Sequence, residues 1–117
     1  MEVQIFGTRN DADTRKALRF FSERRIKTHF VDLKERAASK GEIRRFLEEH
    51  GVEAVIDRGS KRFAALGLQR ALYGAERWLD ILSEEPLLLR TPLVRWQGRL
   101  SVGLDEASWG EWIEAGS

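Results

Sequence analysis

A strand, a polar turn and a helix start follow one another within a few residues of the N-terminus, and this succession limits the chain to few architectures. Val3 to Phe6 is a short β-rich apolar run, consistent with a strand buried on both faces, and Gly7 closes it. Asn10, Asp11 and Asp13 come next, each able to accept hydrogen bonds from the free amides that open a helix. From Asp13 the apolar residues Ala17, Leu18, Phe20 and Phe21 recur at helical spacing, with Arg15, Lys16, Arg19 and Glu23 opposite, which predicts a helix to about Arg24. Lys27 to Asp32 then alternates and reads as a second strand, parallel to the first through a right-handed βαβ crossover. In such α/β proteins ligands and reactive groups collect where a strand ends and a helix begins, because the helix end carries unpaired N–H groups and a partial positive charge.

The middle of the chain is helical. Ser39-Lys40-Gly41-Glu42 has the spacing of a capping box, and Ile43, Phe46, Leu47 and His50 follow on one helix face up to Gly51, a glycine suited to a left-handed cap. Val52, Val55 and Ile56, then Phe63, Leu66 and Leu68, then Leu72, Trp78, Leu79 and Leu82 are expected to form short helices separated by Gly59, Gly67 and Gly74. Past Pro86, the run Leu87 to Val94 leads into a strand. Gln97-Gly98 supplies a turn, and Leu100 to Val102 returns as an antiparallel hairpin. Asp105 can cap a last helix whose Trp109 and Trp112, three apart, are packing groups. The expectation is a single domain over residues 1–117, with a helical insertion at about 33–85.

The 117 residues suffice for a modest core without metal or disulfides, and the absence of cysteine excludes thiol catalysis and thiolate metal sites. The net charge of +1, divided as +4 up to Arg62 and −3 beyond it, makes no long-range case for nucleic acid. The basic clusters Arg24-Arg25-Lys27, Arg44-Arg45 and Arg58-Lys61-Arg62 are interleaved with acids and read as solvated faces. His29 has no companion His or carboxylate cluster and reads as a strand-surface residue. No signal peptide is evident, and the longest apolar run, Pro86 to Leu89, cannot span a bilayer, so a cytoplasmic protein without a membrane partner is expected.

Ile5-Phe6-Gly7, Asn10 and Lys16-Ala17-Leu18 resemble the opening of the ArsC/Spx family, thioredoxin-fold proteins related to arsenate reductases. Leu89-Arg90-Thr91-Pro92-Leu93 is similar to that family's L-x-R-P segment, and Val102-Gly103-Leu104-Asp105 to its closing turn. The resemblance implies a thioredoxin-like α/β fold, with the helical insertion between the βαβ unit and the C-terminal hairpin and helix, and a cis bond before Pro92. It also implies a redox cysteine where this chain has Asp11, and, for a C-x-x-C version, a second cysteine where it has Thr14. Arg58 resembles an anion-binding arginine of the family, and Arg9 a basic position before its loop. The arginine of the R-P segment falls on Thr91, with Arg90 beside it.

The reductase chemistry that the family performs requires a thiolate, and an aspartate has no redox-active atom with which to replace it. Asp11 and Asp13 also oppose oxyanion binding, since their charges offset the helix dipole. The pair could in principle hold Mg²⁺ or act as acid and base, but there is no third ligand, and a helix N-cap is the plainer role for Asp11. Arg58 and Arg90 could instead bridge to Asp11 as ion pairs. The candidate binding residues are therefore Arg9, Asn10, Asp11, Asp13, Thr14, Arg58, Arg90, Thr91 and Pro92, with no catalytic residue, metal or cofactor expected. The resemblance implies a redox-inactive binding or regulatory module with a protein partner or a small thiol-like ligand. The alternatives are an oxidoreductase relative that binds a thiol substrate, and a Spx-like regulator that contacts RNA polymerase through the Arg44-Arg45 face and the Gly51 turn.

Overall fold

The structure is a computed structural model, and it describes residues 2–116. The chain falls into two compact units, residues 1–32 with 91–117, and residues 33–90. The first holds the sheet and the second is helical.

In the sheet unit, β1 (Glu2–Gly7), α1 (Ala12–Glu23) and β2 (Lys27–Asp32) form the expected crossover, and β3 (Leu93–Trp96) and β4 (Arg99–Val102) form the hairpin. The strand order is β2-β1-β3-β4. β1 runs parallel to β2, with Ile5 opposite Phe30, and antiparallel to β3, with Ile5 opposite Val94. This central position explains the apolar composition of β1: Val3 and Ile5 are fully buried and Phe6 nearly so, while Gln4 is half-buried and accepts a 2.6 Å hydrogen bond from Arg95. β2 lies at the edge of the sheet and accordingly keeps the alternation of a half-covered strand, with His29 exposed. Gln97 turns the hairpin at φ 60°.

Helix α6 (Glu106–Gly116) starts at Asp105, whose Oδ1 accepts from the Ser108 amide at 3.2 Å. One core joins Val3, Ile5, Phe20, Phe21, Trp96 and Trp109. Phe20 and Phe21 each lie 5.3 Å from the Trp109 ring, the first of them edge-on. Trp109 is wholly buried, and its indole N–H donates to Ser101 Oγ at 2.7 Å. Trp96 Nε1, also buried, has no hydrogen-bond partner. The tryptophans serve as packing groups, as their spacing predicts.

The helical unit contains α2 (Lys40–His50), α3 (Val52–Val55), α4 (Lys61–Ala65) and α5 (Ala75–Glu84), with single 3₁₀ turns at Leu68–Arg70 and Pro86–Leu88. Ser39 caps α2 as the sequence predicts, its Oγ accepting from the Glu42 amide at 3.2 Å. Gly51 ends α2 at φ 85° but with an extended ψ of 158°, so it stops the helix without adopting the left-handed helical geometry. Ser60 caps α4 in the same way as Ser39 caps α2, by accepting from the Phe63 amide at 3.1 Å. α2 and α5 pack together antiparallel, joined by the ion pairs Lys40–Asp80 and Arg44–Glu76. In each helix the paired residues are four apart and so share one face. Ile43, Phe46, Val55, Ile56, Trp78, Leu79 and Leu82 are buried.

Besides the Gly51 cap, a second expectation fails in this unit. Leu72 belongs to no helix: the chain from Ala71 to Gly74 is irregular, and Leu72 is 97% exposed. Helical spacing from Leu68 places Leu72 one turn on, but the 3₁₀ turn ends at Arg70 and Ala71 is extended, which directs the next residues away from the core.

Candidate functional site

The turn between β1 and α1 is built around one carboxylate. Asp11 has extended backbone angles, φ −81° and ψ 122°, and its carbonyl accepts the first helical hydrogen bond, from the Arg15 amide at 3.1 Å. Its amide is in turn bonded to Thr8 O at 3.1 Å. The side chain then accepts three hydrogen bonds on Oδ2, from the Thr14 amide at 3.2 Å, from Thr14 Oγ1 at 2.7 Å and from Thr91 Oγ1 at 2.7 Å. Asp11 is thus the N-cap that the sequence predicts, and it also ties the helix start to the segment before β3.

Two close approaches hold this arrangement. Gly7 lies directly against Thr14, so that a Cβ at position 7 would collide with Thr14 Oγ1 and Cγ2. The Thr91–Pro92 bond is cis, as the family resemblance implies, and Pro92 O accepts from the Gly103 amide at 2.8 Å. Gly103 has φ 77°, a value that favours glycine, which accounts for the glycine in the closing Val102-Gly103-Leu104-Asp105 turn.

The structure therefore brings Asp11, Thr14, Thr91 and Pro92 together. Asp13 sits half-buried in the first turn of α1, where its charge favours the positive end of the helix. Asn10 is exposed on the loop. Arg9 is turned to β2, with its guanidinium 4.7 Å above the Phe30 ring, while its carbonyl accepts from Arg15 at 2.7 Å. Arg58 and Arg90 belong to the helical unit. Arg58 grips Glu53 with both arms, at 2.7 and 2.5 Å, and lies 5.4 Å over Phe63. That hydrogen-bonded pairing raises the Arg58 pKa and holds the Glu53 carboxyl below its ordinary value. Arg90 is exposed, and its backbone amide donates to Val55 O at 2.7 Å.

The ligation of Asp11 decides what the site can do. Where a C-x-x-C pair would place two thiols, this chain has a carboxylate accepting from a hydroxyl. Thr14 is 0% exposed, so its hydroxyl is no reachable nucleophile. Asp11 Oδ2 already accepts from three donors, so that atom is engaged within the loop and not presented to a ligand. Among the described residues no group of three or more His, Cys, Asp or Glu side chains could hold a metal ion, and no helix is long and apolar enough to cross a membrane.

Sequence reasoning identified Asp11, Thr14 and Thr91 singly but not the hydrogen bonds that join them. It also missed Gly7 as a packing requirement and Glu53 as the partner of Arg58. The only local signal for the latter was an acid five residues before an arginine.

Comparison with solved structures identifies several of the same fold. The YffB protein superposes with a TM-score of 0.85 at 22% identity, over 93% of this chain and 96% of that one. An arsenate reductase from Vibrio cholerae gives 0.81 at 19% identity, over 95% and 97% of the two chains. An arsenate reductase-related protein from Brucella melitensis gives 0.69 at 22% identity, over 97% and 96%. No curated protein matches the sequence. The ArsC family model matches residues 6–112, from the end of β1 into α6. By that match, and with Asp11 on the loop where the family resemblance places a cysteine, this cysteine-free chain belongs to the ArsC family.

Proposed function

We propose that this ArsC-family protein is redox-inactive and serves as a binding or regulatory module. The observation that carries this is the state of Asp11: its Oδ2 occupies the Thr14 amide and both neighbouring threonine hydroxyls, donors that would otherwise be free for an anionic ligand at the helix start. A chain without cysteine cannot form the thiol–arsenic or disulfide intermediates by which a reductase of this family would turn over. Each of the two rival readings relies in part on an arginine that is engaged elsewhere. The thiol-substrate reading needs anion-holding arginines, and Arg58 is bound to Glu53. The polymerase-contact reading uses the Arg44-Arg45 face and the Gly51 turn, and of these Arg44 is bound to Glu76 at 2.6 Å.

The test is turnover of arsenate with reduced glutathione and glutaredoxin, and separately with thioredoxin and its reductase, followed as NADPH consumption. The expected rate equals the protein-free control. A rate that survives repurification and falls in Arg58→Ala would overturn the proposal.

A further inference from the structure

We propose that the surface around Leu72 and Tyr73 is a docking site for an acidic segment of another protein, one that also carries apolar side chains. Leu72 is 97% exposed, and the next residue, Tyr73, is 42% exposed. The two are neighbours in the chain, and adjoining exposed apolar groups, unlike single scattered ones, are the kind that contact surfaces are built from. Tyr73 is fixed in place: its ring packs edge-on against the buried Trp78 at 5.3 Å, and the Arg77 guanidinium lies 5.7 Å over it. An aromatic group so held loses little freedom on binding.

Charge selects the partner. From Arg58 to Ala75 the chain carries four cations, Arg58, Lys61, Arg62 and Arg70, and no acid. Arg58 and Arg62 are neutralised by Glu53 and Glu85, and the Glu76 carboxylate next to Arg77 is taken by Arg44. Among the described residues no ion pair involves Lys61, Arg70 or Arg77. The apolar pair is thus flanked in sequence by cations at positions 70 and 77 that form no ion pair, with Asp80 near enough to Arg77 only to feel its charge, and a complementary surface is acidic.

A second copy of this chain fits less well. Set against itself, the patch would oppose Arg70 and Arg77 to their own copies. The acidic stretch from Leu100 to the C-terminus has four acids and no Lys or Arg, but Trp109 there is buried and Trp112 and Ile113 pack on the core, which leaves Leu104, 40% exposed, as the one large exposed hydrophobic of its described residues. An anionic membrane is also a poorer match, because residues 71–74 form no amphipathic helix.

The docking surface gives the proposed binding module the chemical class of its partner, but it uses nothing at the Asp11 site. The two therefore fail separately: arsenate turnover would overturn redox inactivity and leave the patch standing. The full-length protein is used to select from a displayed library of random dodecapeptides, with counter-selection on Leu72→Asp. Enriched peptides should be rich in Asp and Glu with interspersed Leu, Phe or Trp. A synthesised winner, measured by fluorescence anisotropy, should bind Leu72→Asp at least about tenfold more weakly. It should also lose about threefold or more in affinity to Arg70→Glu, and weaken with added salt. Leu72 is too exposed for its substitution to move Tm appreciably, and Arg70→Glu tests the charge without touching the apolar group. Several results would overturn the proposal: no enrichment, winners without acidic residues, or binding indifferent to both substitutions. Self-association in sedimentation that Leu72→Asp abolishes would do so in favour of a second copy. Binding to phosphatidylserine vesicles that Leu72→Asp abolishes would do so in favour of a membrane.

Discussion

Replacing Asp11 by alanine should cost more than the loss of a helix cap. An N-cap alone is worth about 1 kcal/mol. Here the same oxygen also accepts from Thr14 Oγ1, which is fully buried, and from Thr91 Oγ1, which is half-buried. A buried hydroxyl left without its acceptor costs roughly 1–3 kcal/mol, although a threonine hydroxyl can rotate toward another acceptor, which favours the low end. Asp11→Ala should therefore lower stability by about 2–3 kcal/mol. Asp11→Asn keeps one acceptor oxygen and should cost about 1 kcal/mol or less. Urea unfolding at unchanged m-value measures both. The hydroxyl contribution can be isolated with Thr14→Val, which removes the donor while keeping the shape. If Asp11 and Thr14 act through their shared hydrogen bond, the double variant Asp11→Ala/Thr14→Val should be less destabilised than the sum of the single variants, by about 1 kcal/mol. Additive costs, or an Asp11→Ala cost below about 0.5 kcal/mol, would refute the view that this carboxylate organises the loop.

Asp11→Cys should place a thiol at the N-terminus of α1, beside the Thr14 amide and two hydroxyl donors, and lower its pKa below the free value of about 8.5; the pH dependence of alkylation reports it, and a free-thiol titration would deny the loop that electrostatic character. Trp109→Phe should cost about 2–4 kcal/mol by urea unfolding, because it removes buried ring volume and strands Ser101 Oγ. Trp96→Phe should cost less, since the indole N–H it removes has no partner; equal costs would show that the Trp109–Ser101 hydrogen bond contributes nothing. Glu53 and Asp80 have their pKa values lowered by hydrogen bonds from Arg58 and Lys40. Their contribution is complete above the unfolded carboxylate range of about pH 4 and is lost as the pH falls through the lower folded-state values. Glu53→Gln/Asp80→Asn should flatten the acid limb of a urea-midpoint profile, only slightly because both pairs face solvent, and an unchanged limb would count against the pairs.

Features governed by neighbours in sequence were legible without a structure. The βαβ crossover follows from a strand-like run, a capping turn and a helical period in succession. The start of α2 follows from Ser39 and Glu42, and the hairpin from Gln97-Gly98 between apolar runs. Asp11 could be assigned as a cap for the same reason, because a capping side chain reaches an amide only three residues on.

Tertiary structure decided what those residues then meet. The Thr91 hydroxyl that completes the Asp11 site lies 80 positions away in sequence. No local pattern records such a pairing, since it depends on β3 lying beside β1 and on the backbone course before Pro92. The need for glycine at position 7 likewise arises from where Thr14 lands in space. Arg44 and Arg58 both lie in basic clusters that read as solvated faces, Arg58 being also a candidate anion-binding residue, and only the folded chain shows which carboxylate each one meets. Leu72 continues a helical spacing in the sequence, yet its exposure is set by a turn that ends two residues earlier. Helical period measures only the tendency of a side chain to be covered; whether it is covered depends on what the rest of the fold places over it.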